Sequence, residues 1–234
     1  MIRESFKRTT PHECSAPALA YRLLLLNFGA ISTSALTATN ALFDIISAAS
    51  SQNIISALRE EALNVLRESN GVWSKASVAK LHRLDSVIRE SLRVSGFGGS
   101  GLARRVKAPD GITLENGVWV PNGATVGVAQ RAIHFDEHFY ERASEFDAFR
   151  FSRSNELLSK GGKPEETAVE TEKDDAIAKK LLRNEDLVTT SPQFLAFGHG
   201  AHAWSVRSLQ FHISLHTDLS LLISALVASS LPIN

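Results

Sequence analysis

The chain has 234 residues, 44% of them hydrophobic and 21% charged, enough apolar material to bury a core and too much for a chain disordered throughout. Lysine plus arginine and aspartate plus glutamate both number 25, so the charge balance gives no footprint for nucleic acid or an acidic surface. A single cysteine, Cys14, excludes an internal disulfide and a structural zinc site built from several cysteines.

Residues 1–16 form a charged N-terminal segment without the apolar stretch of a secretory signal. The apolar run Leu23–Leu26 extends to Ile31 with Asn27 inside it, shorter than the ~20 residues that span a bilayer. Leu219–Val227 is also short, with His216 and Asp218 at its edge. The expectation is a soluble or peripheral chain with no transmembrane anchor.

Residues 17–49 are predicted to form one long helix. Leu23, Leu26, Ala30, Leu36, Leu42, Ile45 and Ile46 mark its apolar side. Its middle is rich in hydroxyls (Ser32, Thr33, Ser34, Thr37, Thr39), which bond back to the preceding turn and locally weaken a helix. A second helix fits 51–69, with Ile55, Leu58, Ala62 and Leu66 inward and Arg59, Glu60, Glu61, Arg67 and Glu68 on the solvent face. Asn70-Gly71 stops it. A third helix covers 76–95, with Leu81, Leu84, Ile88 and Leu92 as its buried stripe.

From Leu102 the period changes. Residues 102–107, 112–114, 118–120 and 124–129 read as short strands separated by Asp110-Gly111, Asn116-Gly117 and Asn122-Gly123, each a turn signal. The predicted fold class is therefore mainly α with a small antiparallel β-meander. Residues 154–191 read as a polar surface insertion, with a short helix at 174–183.

Two sites carry chemistry. Glu90 and Arg93 stand at i,i+3 on the third helix, on one face. Arg150 lies among Phe146, Phe149 and Phe151; an arginine in that company needs a carboxylate, and Glu90 has oxygens enough for both arginines. Further on, Phe194-Leu-Ala-Phe-Gly-His-Gly-Ala-His-Ala203 contains Phe197-Gly-His-Gly200, a turn suited to unusual backbone angles near a flat ligand.

In order and type, these motifs resemble the C-terminal half of a cytochrome P450 of filamentous-fungal type, over residues 17–205. The resemblance implies a partial P450 fold, with haem (heme iron) as cofactor, a flavoprotein reductase and a small organic substrate as partners, and no nucleic acid. It implies monooxygenase chemistry in tailoring of secondary metabolites, at the endoplasmic reticulum membrane for complete relatives. Gly29-Ala-Ile-Ser-Thr-Ser34 stands for the oxygen-activation motif, with Thr33 as its threonine. Arg104, in Leu102-Ala-Arg-Arg105, and His202 match the propionate-binding positions, with Phe197 also at the cofactor. Phe97 falls on the substrate pocket, and Glu90, Arg93 and Arg150 match the structural triad.

One position departs. Where the family presents its cysteine ligand, Trp204 stands, and Val206 replaces a glycine two residues later. In this family the thiolate pushes electron density onto iron, whereas indole nitrogen is a donor only. The resemblance with this departure implies a chain that is not catalytic as written. The tail 206–234 has two readings. It is a divergent helix with Leu215, Leu219, Leu222 and Leu226 in register, or translated intron, since Val206-Arg207 can be encoded by GTAAGA. In the second case the chain comes from an active enzyme whose gene reading lost both ends. Two other readings stay open. One is a haem-free binding or scaffold remnant; the other is a histidine metal site of His199, His202, His212 and His216, the last two at i,i+4.

Overall fold

The computed structural model describes residues 15–153 and 187–204. The predicted helix at 174–183, most of the polar insertion, Cys14 and the tail from residue 205 lie outside them. Helix α1 is Ala16–Ser47, with proline at its start, where a missing N–H costs nothing. It bends back through Ala48–Ser50 into α2, Ser51–Glu68. Helix α2 stops where the sequence places the stop. Asn70 and Gly71 take positive φ (52° and 78°), and the Gly71 N–H closes onto the Leu66 carbonyl at 2.9 Å.

Helix α1 packs differently from its apolar pattern. Its buried residues are Thr37, Ala41 and Ile45, and it is tied to the body by polar bonds. Asn40 donates to the Ser95 carbonyl at 2.8 Å, and Asp44 accepts from the Ser91 and Ser95 hydroxyls at 2.6 and 2.9 Å. Leu23, Leu26, Leu36, Leu42 and Ile46, expected inward, are exposed. The Thr37 and Thr39 hydroxyls bond back to Thr33 and Ala35 carbonyls, both at 2.8 Å, as the hydroxyl-rich middle implies. The run Leu23–Ile31 alone is too short for a bilayer, but the 32-residue helix containing it is long and apolar enough, by length and composition.

The predicted third helix is two. Helix α3, Lys75–Val78, is closed by a reciprocal cap between Ser74 and Ser77. Leu81 leaves helical angles (ψ 66°), and α4, His82–Val94, begins there without a cap of its own. Glu61 of α2 supplies it: its carboxylate accepts from the backbone N–H of Arg83 and Leu84 at 2.8 and 3.1 Å. A carboxylate at a helix N-terminus meets both the open donors and the positive dipole end. Glu61, read from sequence as a solvent-face residue, is therefore an inter-helix cap. Replacing it by alanine is expected to lower stability by about 1–2 kcal/mol in urea unfolding, whereas alanine at its exposed neighbour Glu60 should change little.

Helix α4 is the axis of the core. Leu84, Val87, Ile88 and Leu92 are buried, and so are Ser86, Arg89, Glu90, Ser91 and Arg93. The expectation that this helix would expose an apolar face fails. Helix α2 covers one side through Ile54, Leu58, Ala62 and Val65, and Phe194 and Phe197 join the same cluster. The inward pair on α2 is thus Ile54 and Val65 where periodicity pointed to Ile55 and Leu66.

Strands β1 (Gly101–Arg105), β2 (Ile112–Thr113), β3 (Trp119–Val120) and β4 (Thr125–Val128) are antiparallel, as expected. Their pairing is nested, β1 with β4 and β2 with β3, where a meander would pair neighbours in turn. The Asn122 side-chain amide donates to the Lys107 and Ala108 carbonyls at 3.1 and 2.8 Å, and this holds the two turns together. A short helix, α5 (Gln130–His134), follows β4.

Candidate functional site

Glu90 is fully buried and accepts from two arginines. Arg93 Nε and Nη2 donate to its two oxygens at 2.8 and 2.7 Å, and Arg150 Nε bridges both at 3.0 and 3.1 Å. The Asp147 N–H adds a further donor at 3.0 Å. The other N–H groups of Arg93 go to backbone carbonyls, to His134 and Ala143 from Nη1 and to Glu145 from Nη2. All five guanidinium donors of Arg93 are thereby engaged. Two buried cations on one carboxylate are tolerable only because each remaining proton finds an acceptor. The result is that residues 134–150, which have little regular structure, are fastened to α4.

A second set of bonds fastens 187–204. The Leu187 N–H donates to Asp85 at 2.8 Å, and Arg89 Nη1 donates to the Thr189 carbonyl at 3.0 Å. The Tyr140 hydroxyl donates to the Gln193 carbonyl at 3.0 Å, and the Leu195 N–H donates to His134 Nε2 at 3.0 Å. Each bond joins a side chain of the body to the backbone of this segment. Phe194 lies between them, stacked on His134 (ring centroids 5.6 Å) and under the Arg89 guanidinium at 3.9 Å. Burial moves two of these groups. It lowers His134 from 6.5 to about 4, against the opposing pull of its bond to the Arg93 backbone, and raises Tyr140 to about 12.

The segment ends in a turn. Gly198 and Gly200 have φ of 70° and 73°, a region that side-chain-bearing residues rarely enter, and Gly200–His202 form a single turn of 3-10 helix. The Trp204 N–H closes the turn on the Phe197 carbonyl at 2.9 Å. The Trp204 indole packs on Phe197, centroids 6.2 Å apart, against the main core. His199 Nδ1 is 3.2 Å from the Thr190 hydroxyl.

The structure thus brings Glu90, Arg93 and Arg150 together and sets Phe197 beside Trp204. The other sequence-selected residues have local surroundings. The Thr33 hydroxyl donates to the Gly29 carbonyl at 2.5 Å, on its own helix. Arg104 is exposed on β1 and donates to the adjacent Ala103 carbonyl at 2.8 Å. Phe97 is 46% exposed in the link between α4 and β1. The side chain of His202, and His212 and His216 altogether, lie outside the described residues. Among the described residues, no group of three or more His, Cys, Asp and Glu side chains is placed to hold a metal ion.

The sequence profile of the cytochrome P450 family matches residues 1–203. The chain belongs to the cytochrome P450 family. It is similar to the cytochrome P450 monooxygenase gloP of Glarea lozoyensis, 36% identical over 210 residues, 87% of this chain and 36% of that protein. It is 31% identical to pbrC of Penicillium brasilianum, over 89% of this chain and 36% of the relative. It is 34% identical to astC of Aspergillus terreus, over 82% and 33%. The chain spans about a third of the length of these relatives. The profile match begins at residue 1 and so includes residues 1–16, which composition sets apart.

Within this P450 chain, sequence reasoning missed Asp85, Arg89, His134 and Tyr140. A histidine ending a five-residue helix has no periodicity to mark it. Bonds to a backbone also leave the partner's identity unconstrained, so no motif forms. The one available signal was Phe194 and Phe197 flanking the loop, which ask for a buried bed.

Proposed function

We propose that this chain is a P450-family protein, related to enzymes that oxidatively tailor small organic secondary metabolites, and that it does not catalyse monooxygenation as written. The observation that carries the reading is Trp204, at the position that follows the Phe194–Ala203 loop and where the family has cysteine. Its backbone N–H closes the turn and its ring packs on Phe197, so an indole fills the place of the iron ligand. Indole nitrogen has a proton to donate and no lone pair for a metal. The residues at this position therefore do not fit a thiolate-ligated haem. In the family, bound haem supplies an iron centre made reactive by sulfur ligation, and no step is derived through it here.

On this reading the remaining assignments follow the family residue by residue. Thr33 stands at the oxygen-activating position, Arg104 and His202 at the propionates, Phe197 against the cofactor and Phe97 on the substrate side. Glu90, Arg93 and Arg150 hold the fold beneath the loop. The P450 unit is assigned to 17–205 and the divergent tail to 206–234. A flavoprotein reductase and the endoplasmic reticulum membrane are the partner and location proposed for the complete protein. The test is the carbon monoxide difference spectrum of the reduced 234-residue chain. We expect no Soret band at the position of thiolate ligation; such a band, with stoichiometric haem, overturns the reading.

A second reading is an active haem-thiolate enzyme whose coding sequence is misread after residue 205. It is favoured by the intact Glu90 network and loop turn, which show no loss of the surrounding architecture. Sequencing the transcript across that point separates the two.

A further inference from the structure

His134 and Arg93 hold each other by their backbones. Arg93 Nη1 donates to the His134 carbonyl, and His134 Nδ1 lies 3.2 Å from the Arg93 carbonyl. A carbonyl only accepts, so Nδ1 carries the proton. The opposite nitrogen, Nε2, must then be bare, and it receives the Leu195 N–H at 3.0 Å. The imidazole is 2% exposed and its ring is stacked on Phe194 with an interplanar angle of 17°. A continuous set of bonds therefore runs from Glu90 through Arg93 and His134 to the backbone that leads into Phe197 and Trp204.

We propose that His134 is a positioning residue: as a neutral Nδ1–H imidazole it fixes the 194–204 loop on the Glu90–Arg93 network, and protonation at Nε2 releases the loop. Both of its hydrogen bonds are used, and a proton on Nε2 would confront the Leu195 N–H donor with another donor. The charged groups facing the ring are Arg93, Arg89 and Glu90, all from α4. From the turn after α5 comes Tyr140, which burial holds near 12 and which is neutral throughout the acid range. The loop itself presents backbone and Phe194. The His134 value is depressed in the folded chain, so its stabilising contribution is complete above about 6.5 and is lost as pH falls toward 4.

The test is amide hydrogen exchange on the full chain, followed by NMR at Leu195 and, as an internal control, at Phe151, whose N–H is held by the Ser86 hydroxyl on the same helix. With values of 6.5 in the open state and about 4 in the closed state, local opening at Leu195 should rise about twentyfold between pH 7 and pH 5, after correction for intrinsic exchange. Phe151 should not follow. His134→Gln retains one donor and one acceptor without titrating, so it should keep Leu195 protected with a flat pH profile. His134→Phe should lose protection at both pH values. A flat wild-type profile, equal losses at Leu195 and Phe151, or an Nε2–H tautomer in the nitrogen-15 spectrum each overturns the proposal. The wild-type and His134→Gln measurements decide it even where His134→Phe fails to fold.

Discussion

Glu90→Ala should be the most damaging single substitution in this chain, lowering stability by about 3–5 kcal/mol or abolishing cooperative urea unfolding altogether. The carboxylate and Arg93 have no exposed side-chain surface, and Arg150 has 9%. Removing the anion strands two cations at once and frees the Asp147 N–H that it also holds. For a domain of ordinary stability, about 5–15 kcal/mol in total, that is a large share. The effect should be graded. Arg93→Ala leaves Glu90 with Arg150 as partner but orphans the carbonyls of His134, Ala143 and Glu145. Arg150→Ala leaves the Glu90–Arg93 pair whole, and the carbonyls it releases include that of exposed Glu141. The expected order of loss is Glu90, then Arg93, then Arg150. A Glu90→Ala protein within about 1 kcal/mol of the wild type would mean the buried pair contributes no more than a surface one.

That order also shows which parts of the structure were legible in sequence. The Glu90–Arg93–Arg150 meeting was readable because Arg150 sits among phenylalanines, and a guanidinium in apolar company requires an anion. The α2 stop at Asn70-Gly71 was readable because few residues tolerate its backbone angles. What escaped was set by partners far along the chain. Ser86 reaches the Ala148 carbonyl, Arg89 the Thr189 carbonyl and His134 the Leu195 N–H. Nothing local distinguishes such a serine or arginine from a solvated one, so α4 looked amphipathic when it is buried on nearly every side. The split of the third helix escaped for the same reason. Its second half starts on a carboxylate from α2, and Glu61 carries no mark separating it from Glu60. The Trp204 departure was legible because it contradicts a pattern specific enough to make one residue matter.

Phe194→Ala should rank second, at about 3–5 kcal/mol, and its interest lies in the contrast with Phe197→Ala. Both rings are buried, at 1% and 5% exposure, and both belong to the principal core cluster. Phe194 meets three partners: His134 in a stack, Phe151 edge-on at 6.1 Å, and the Arg89 guanidinium at 3.9 Å over its face. Its loss opens a cavity and removes a cation–π contact that is worth more when desolvated, up to about 2 kcal/mol. It also bares the imidazole holding Leu195. Phe197 has a smaller aromatic neighbourhood, with Trp204 at 6.2 Å, and half-buried Trp204 can shift to fill part of the space. Phe197→Ala should therefore cost less and leave the anchors at Thr189, Gln193 and Leu195 intact. Urea unfolding gives the two costs, and near-ultraviolet circular dichroism gives the loss of aromatic packing. Equal costs would place the weight of this segment in bulk apolar burial. A larger cost at Phe194 would place it in the bed formed by Arg89, His134 and Phe151, the part of the architecture that does not depend on what stands at residue 204.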